Sequence, residues 1–179
     1  LKSLRNESSL ERLILRLAVA SIWLDAGVFN KLLNPGFLNA GSTSYIGFTV
    51  QYLAEGSPIR GFLYAVVFPH VYTVGVLVMI GEISFGVLTL LGLMSRLAST
   101  VALYTNLIYF LSAYWTGTEE YGINLLLMLL NLYLVVRGPG QLSLDSALST
   151  RFKVLQNPTP WAIAGTVIYV IVILYLLIY

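Results

Sequence analysis

The run VYTVGVLVMIGEISFGVLTLLGLM (71–94) carries a single charged side chain, Glu82. A helix needs roughly 20 consecutive apolar residues to cross the ~30 Å hydrocarbon core of a bilayer, and this run supplies them. Four further stretches have the same character: 10–34, 97–115, 121–137 and 161–179. The first stops at Asn34–Pro35, because proline disfavours helical geometry in the residue before it. The second follows Pro69, and the last follows Pro158 and Pro160. Charged residues make up 10% of the chain and the mean hydropathy is +0.82, whereas a soluble domain carries about 25% charged residues. A chain of 179 residues has too little interior to hide so much apolar surface from water. The expected fold is an all-α integral membrane protein. It comprises a four-helix transmembrane bundle over residues 1–160 and an additional C-terminal transmembrane helix over 161–179, five spans in all.

Between the first two spans lies PGFLNAGSTSYIGFTVQYLAEGSPIRGFLYAVVFP (35–69). Its Gly, Ser and Thr argue against a further crossing, while recurring Phe, Tyr and Leu favour an ordered cap on the membrane, with a short helix near 60–68. The AVAS sequence (18–21) imitates a signal-peptide cleavage site, but Arg12 and Arg16 interrupt the apolar segment before it, so a retained first helix is expected. Eight of the ten basic residues fall on one side: Lys2, Arg5, Arg12, Arg16, Arg96, Arg137, Arg151 and Lys153. Lys31 and Arg60 fall on the other. The excess of Lys and Arg on cytoplasmic loops then predicts a cytoplasmic N-terminus and an external C-terminus in a multi-pass plasma-membrane protein. Trp115, Tyr121, Trp161 and Tyr179 stand near predicted helix ends, as interfacial aromatics do.

Several chemistries are excluded at once. With no cysteine there is no disulfide, thiolate metal site or Cys nucleophile, and one histidine, His70, cannot make a multi-histidine haem or metal centre. No flavin or nucleotide fingerprint is present, and a net charge of +2 is too small and too dispersed for nucleic acid.

The chemistry-bearing residues are therefore the charges within the spans. Glu82 lies roughly 16 Å inward from Val71, and Asp25 roughly 13 Å inward from Asn34, at about 1.5 Å per residue. An acid at that depth costs roughly 2.5–3.5 kcal/mol on insertion scales, so both carboxyls are expected to face the bundle interior. Gly75, Glu82, Gly86 and Thr89 share one face, and its glycines let another helix approach closely. Ser21, four residues before Asp25, is placed to share its hydrogen bonding. Asn124 with Asn131, and Ser99 with Asn106 and Ala113, extend a polar seam along two further helices. Lys31 lies about 240° round the helix from Asp25 and shares a face with Gly27. Lys31, Arg60 and His70 supply the cationic capacity of the outer side, enough for an anion site at the membrane surface. Plainer readings stand beside each of these. Glu82 and Asp25 as structural hydrogen-bonding groups, Lys31 snorkelling to the headgroups, His70 as an interfacial residue, Arg60 as a solvated loop residue, and the Asn and Ser stripes as packing glue all fit the same residues.

Four features resemble the DoxX/DoxD family of small membrane proteins: WLDAGVFNKLLNP (23–35), GEISFGVLTLLGLMSRLAS (81–99), the polar fourth helix, and GPGQLSLD (138–145). The last is similar to the family's Gly-x-Gly-x-x-Ser-Leu-Asp signature. It also has a physical reading, in which Pro139 and the glycines stop a helix and Ser143 or Asp145 caps a short interfacial one. The Asp of LDAG, the long loop and the fifth span look most like the DoxD branch, membrane subunits of thiosulfate:quinone oxidoreductase in thermoacidophilic archaea. That resemblance implies oxidation of thiosulfate to tetrathionate at the outer face, with electrons passed to a membrane quinone of the caldariellaquinone type. It also implies a second small membrane subunit similar to DoxA, and a higher oligomer or association with a terminal oxidase. On this reading Glu82 and Asp25 handle protons. Lys31, Arg60 and His70 bind thiosulfate, and Trp23, Phe29, Tyr104 and Tyr109 contribute to a quinone pocket. A non-catalytic scaffold of a respiratory complex, and a transporter lined by the polar seam, are the competing readings.

Overall fold

The structure, a computed structural model, describes the backbone of residues 2–179 and the side chains from Ser9 onward. The side chains of Lys2 and Arg5, which enter the charge-bias argument, lie outside the described residues. All regular secondary structure among the described residues is helical. The chain forms α1 (Lys2–Leu24), which continues without a break as a π-helical segment, Asp25–Leu32. Then come α2 (Ile46–Gly56), α3 (Arg60–Phe62), α4 (Val71–Leu91), α5 (Ser95–Ala113), α6 (Thr118–Arg137), α7 (Leu144–Leu148) and α8 (Pro158–Ile178).

Among the described residues, four helical stretches are long and apolar enough to cross a membrane: Ser9–Leu32, Arg60–Leu91, Thr118–Arg137 and Pro158–Ile178. The expected third span, 97–115, corresponds to α5, which has the length but not the apolarity. Ser95, Ser99, Thr100, Asn106 and Ser112 lower its hydropathy, and all five are buried. These side chains face the neighbouring helices: α5 runs between α4 and α6, and α8 covers it from outside. Gly165 lets α8 close on α5, since a Cβ there would stand 2.7 Å from the Thr100 side chain.

The segment before α4 is more helical than its composition suggests. Pro69 does not start a helix. It sits inside a continuous helical stretch, where a π segment (Leu63–Val67) and a 3-10 turn (Phe68–His70) absorb its missing N–H. The sequence reading also passed over α2, although Ile46, Val50 and Ala54 recur every four residues. Ala54 packs with Leu63 and Val67 in a small satellite core. Ser57 Oγ donates to Leu111 O at 3.0 Å and Trp115 Nε1 to Leu53 O at 2.8 Å, tying this cap to the C-terminal end of α5. The main core is Val19, Trp23, Phe85, Ala102 and Leu127, one or two residues from each of four helices.

The opposite end of the bundle is held by charge against helix termini. The last carbonyls of a helix lack intrahelical donors and carry partial negative charge. The Arg16 guanidinium, 2% exposed, satisfies Thr89 O (2.9 Å) and Leu90 O (2.6 Å) at the end of α4, together with Pro139 O and Leu142 O in the loop after α6. Arg96 does the same for Val135 O at the end of α6 and for Leu155 O. Asp145 accepts from Met94 N (2.8 Å) and Ser95 N (3.0 Å), and so caps the start of α5. Of the two residues offered as the cap of the short helix after GPGQLSLD, one takes that role and the other caps a different helix. Ser143 caps α7 by accepting from Ser146 N, whereas Asp145 caps a helix some fifty residues earlier in the chain.

Candidate functional site

From Asp25 to Leu32 the hydrogen bonds widen to the five-residue π pattern, as in Leu33 N to Val28 O at 2.9 Å. Such segments are rare and recur at functional sites. Here the segment lies against the glycine face of α4. A Cβ on Gly27 would fall 2.8 Å from the Ile83 backbone nitrogen and 3.1 Å from Glu82 Cβ, and one on Gly86 would strike Leu24. The two helices therefore touch at backbone distance, and Glu82 is enclosed between them.

At that contact the Lys31 Nζ stands 2.6 Å from Glu82 Oε2, with side-chain exposures of 17% and 2%. Lys31 also donates to Ala26 O at 3.2 Å, a bond that folds it back along its own helix, and lies 5.7 Å from the Phe37 ring centroid. On the other side of the carboxylate, Tyr109 Oη donates to Glu82 Oε1 at 2.9 Å. The result is a row of three groups, ammonium, carboxylate and phenol, drawn from the π segment, α4 and α5. An isolated carboxylate in so dry a place costs several kcal/mol, and the ammonium and phenol offset that cost directly. Beyond the row, Trp23 Nε1, Ser99 Oγ and both amide atoms of Asn106 and of Asn131 are buried with no partner among the described residues. The polar seam anticipated on α5 and α6 thus does face inward at Ser99, Asn106 and Asn131. Asn124 instead remains half-buried and donates to Glu120 O.

The structure separates the residues that sequence reasoning had grouped. Glu82 is turned inward, as its glycine face requires. Asp25 is not: it lies two residues from Gly27, close to Glu82 in level, but its side chain is exposed and accepts from Asn30 Nδ2 at 3.1 Å. The inward face of α1 carries Val19, Trp23 and Gly27, and Asp25 falls on the other face, with Ile14, Leu17 and Ser21. Ser21 does share that face, yet its hydroxyl donates to Leu17 O rather than to Asp25. Lys31 is not part of a surface anion site with Arg60 and His70, because its ammonium is engaged by Glu82. Arg60 is exposed, over the Tyr64 ring at 5.4 Å, and His70 lies about 15 Å further along the same helical stretch at about 1.5 Å per residue.

The four aromatic residues do not line one pocket either. Trp23 is a core residue, edge-on to Phe85 at 5.2 Å, and Phe29 is 64% exposed. Tyr104 pairs with Thr166 Oγ1 at 3.0 Å and stacks on Tyr169 of α8. Tyr109 alone of the four reaches the ion pair. Sequence reasoning missed the Lys31–Glu82 pair itself, although Gly27 and Lys31 on one face, opposed to Gly86 and Glu82 on another, carried the signal. It missed also the buried capping role of Arg16 and Arg96, which entered only as charges counted for orientation.

No solved structure matches this fold. The model of the family described as "TQO small subunit DoxD" matches residues 12–175, which includes every element of the ion-pair site and most of α8. With its motifs, buried polar centre and helical architecture accounted for, the chain belongs to the DoxD family, membrane subunits of thiosulfate:quinone oxidoreductase.

Proposed function

We propose that this chain works in oxidation of thiosulfate to tetrathionate coupled to reduction of a membrane quinone, with Lys31, Glu82 and Tyr109 as its proton-handling site. The observation that carries this reading is the buried row itself, 2.6 Å and 2.9 Å on either side of one carboxylate. Joining two thiosulfate ions through a new S–S bond releases two electrons, and converting a quinone to its quinol consumes two electrons and two protons. Tyr109 Oη donates to Glu82 and Lys31 Nζ lies at ion-pair distance from it, so both ends of the row hold exchangeable protons beside the carboxylate, and a proton lost from one end is replaced through it. Lys31 is the more exposed end of the row and the point at which a quinone oxygen would meet a donor. Phe29, two residues away on the outer surface, would flank an approaching ring, while Trp23 and Tyr104 hold the helices behind the row in register.

Membrane placement follows from the same architecture. Five crossings are supported by the course of α5, which starts beside Asp145 and ends against the α2 cap. The arginine-rich end then faces the cytoplasm of a plasma-membrane protein, and α8 ends on the outer side. Arg60 and His70 lie on that outer side and would attract thiosulfate separately rather than clasp one ion between them. Asp25 falls to a partner. A carboxylate on the outward face of a membrane helix costs roughly 2.5–3.5 kcal/mol unless a donor covers it, which supports a second small membrane subunit or a further copy against α1.

Thiosulfate-dependent quinone reduction by the purified complex tests the proposal. Glu82→Gln is expected to abolish turnover while the complex still assembles. The exposed Ser21, Asp25 and Asn30 face favours a second reading, a scaffold subunit of a respiratory complex. Loss of assembly in Asp25→Leu, with Glu82→Gln turning over normally, would select the scaffold.

A further inference from the structure

At the arginine-rich end, far from the ion pair, the loop Gly138–Gln141 and helix α7 meet Ser9 and Arg12 of α1 and leave an open cavity of about 340 Å³. That volume is at the lower end of ligand pockets and many times what one water needs. Arg12, Arg96 and Arg137 line it with Ser9, Ser146 and Ser149. Asp145 also lines it, but both its oxygens are taken by the backbone N–H groups of Met94 and Ser95. Among the described residues the balance of charge at the wall is therefore three guanidinium groups against one engaged carboxylate.

The donors are not used up by the fold. Among the described residues Arg12 Nε is buried without a partner, and its contact with Arg137 O is a 3.2 Å bond from another nitrogen. Ser9 is 6% exposed and its hydroxyl, on the cavity wall, has no partner. On Arg96 one terminal nitrogen reaches only Val136 O, at 3.5 Å. The glycines of the signature make room for these groups. At Gly138 (φ +74°) a Cβ would stand 2.8–2.9 Å from the Arg96 guanidinium, and at Gly140 (φ +86°) one would crowd Arg12 Cβ at 3.2 Å. On the segment that supplies Gln141, Asp145, Ser149 and Leu155 to the wall, Leu142, Leu144, Leu148, Phe152 and Val154 are exposed, an apolar rim suited to the boundary between acyl chains and headgroups.

We propose that this cavity is a binding site for a phosphate-type oxyanion, presented by an anionic phospholipid headgroup or by free phosphate. Guanidinium and hydroxyl donors converging on a small, partly enclosed space suit several oxygens on one centre, and the rim suits a ligand with acyl chains attached.

The test uses the full chain in a neutral detergent, with thermal unfolding followed on titration with phosphatidylglycerol, phosphatidylcholine or inorganic phosphate. Phosphatidylglycerol is expected to raise the unfolding temperature and phosphatidylcholine to leave it unchanged. A matching rise with inorganic phosphate identifies free phosphate as a sufficient ligand, and a rise with the lipid alone identifies the headgroup. Arg12→Gln is expected to weaken binding about 10-fold or more, the loss of one charge-assisted contact. Ser149→Leu, which narrows the cavity without touching a charge, should weaken it similarly if Arg12→Gln does not fold. Arg151→Gln, an exposed arginine at the same end but off the cavity wall, should stay within about 2-fold of the parent. Equal stabilisation by both lipids with no response to phosphate, or equal losses in Arg12→Gln and Arg151→Gln, would overturn the site.

Discussion

Replacing Lys31 by Met removes the ammonium 2.6 Å from Glu82 and leaves a carboxylate that is 2% exposed. Breaking a buried pair from one side costs about 3–5 kcal/mol, because the surviving charge is uncompensated. The Tyr109 hydroxyl still donates to Oε1, and a hydrogen bond to a charged group is worth about 1.5–3 kcal/mol, so the lower end, about 3 kcal/mol, is expected. Glu82→Gln is milder, about 1–2 kcal/mol, since Gln keeps an acceptor for Tyr109 and Lys31 is exposed enough to turn its ammonium outward. Lys31→Met combined with Glu82→Gln buries no charge, and the amide keeps an acceptor for Tyr109, so the double is expected within about 1 kcal/mol of the parent. The singles then sum to about 4–5 kcal/mol, against about 1 for the double, a coupling of 3 kcal/mol or more. Denaturant unfolding in mixed micelles, followed by tryptophan fluorescence, measures all four proteins. Strict additivity within about 0.5 kcal/mol would show that the two side chains are energetically independent and would remove the basis of the site.

Gly27→Val sets a side chain against the Ile83 backbone, so a loss of about 1–3 kcal/mol is expected together with slower quinone reduction, read by unfolding and turnover on the same preparation. Asp145→Ala strands two N–H groups at the start of α5 and should cost about 2–5 kcal/mol in denaturant unfolding, with Asp145→Asn recovering part of it. Asn106→Leu combined with Asn131→Leu exchanges two unpartnered buried amides for apolar groups of similar size. Unfolding should then be unchanged or shifted toward greater stability, and a loss above about 3 kcal/mol would show that the amides hold something in place.

The inward face of α4 was legible because it rests on spacing alone: seven, four and three residues separate Gly75, Glu82, Gly86 and Thr89, and all four are buried. Four of the five expected spans were legible from their apolar runs, three of them to within a few residues, while the second begins at Arg60, eleven residues before the expected start. Prolines 158 and 160 lie in the first turn of α8, not before it, where a missing N–H costs nothing. What spacing cannot give is a contact that depends on altered helical pitch or on distant chain. The angle computed for Lys31 assumed regular α geometry, but from Asp25 onward the turn is wider. Asp145 reads locally as the cap of the helix that follows it, and only the folded chain brings Met94 and Ser95 to its oxygens. Asp25 shows the limit of a sound rule. Its depth was readable and its face was not, because burial cost says that a carboxylate needs cover without saying which chain provides it.

Arg16 belongs to the first helix, yet two of its four carbonyl partners, Pro139 and Leu142, come from the loop that follows α6. During synthesis the first helix must therefore wait in the bilayer with an incompletely satisfied cation until more than 120 further residues have left the ribosome. A nascent chain cut short before that loop cannot lock its opening helix in place. Final closure of the bundle is thereby tied to completion of the loop that carries GPGQLSLD.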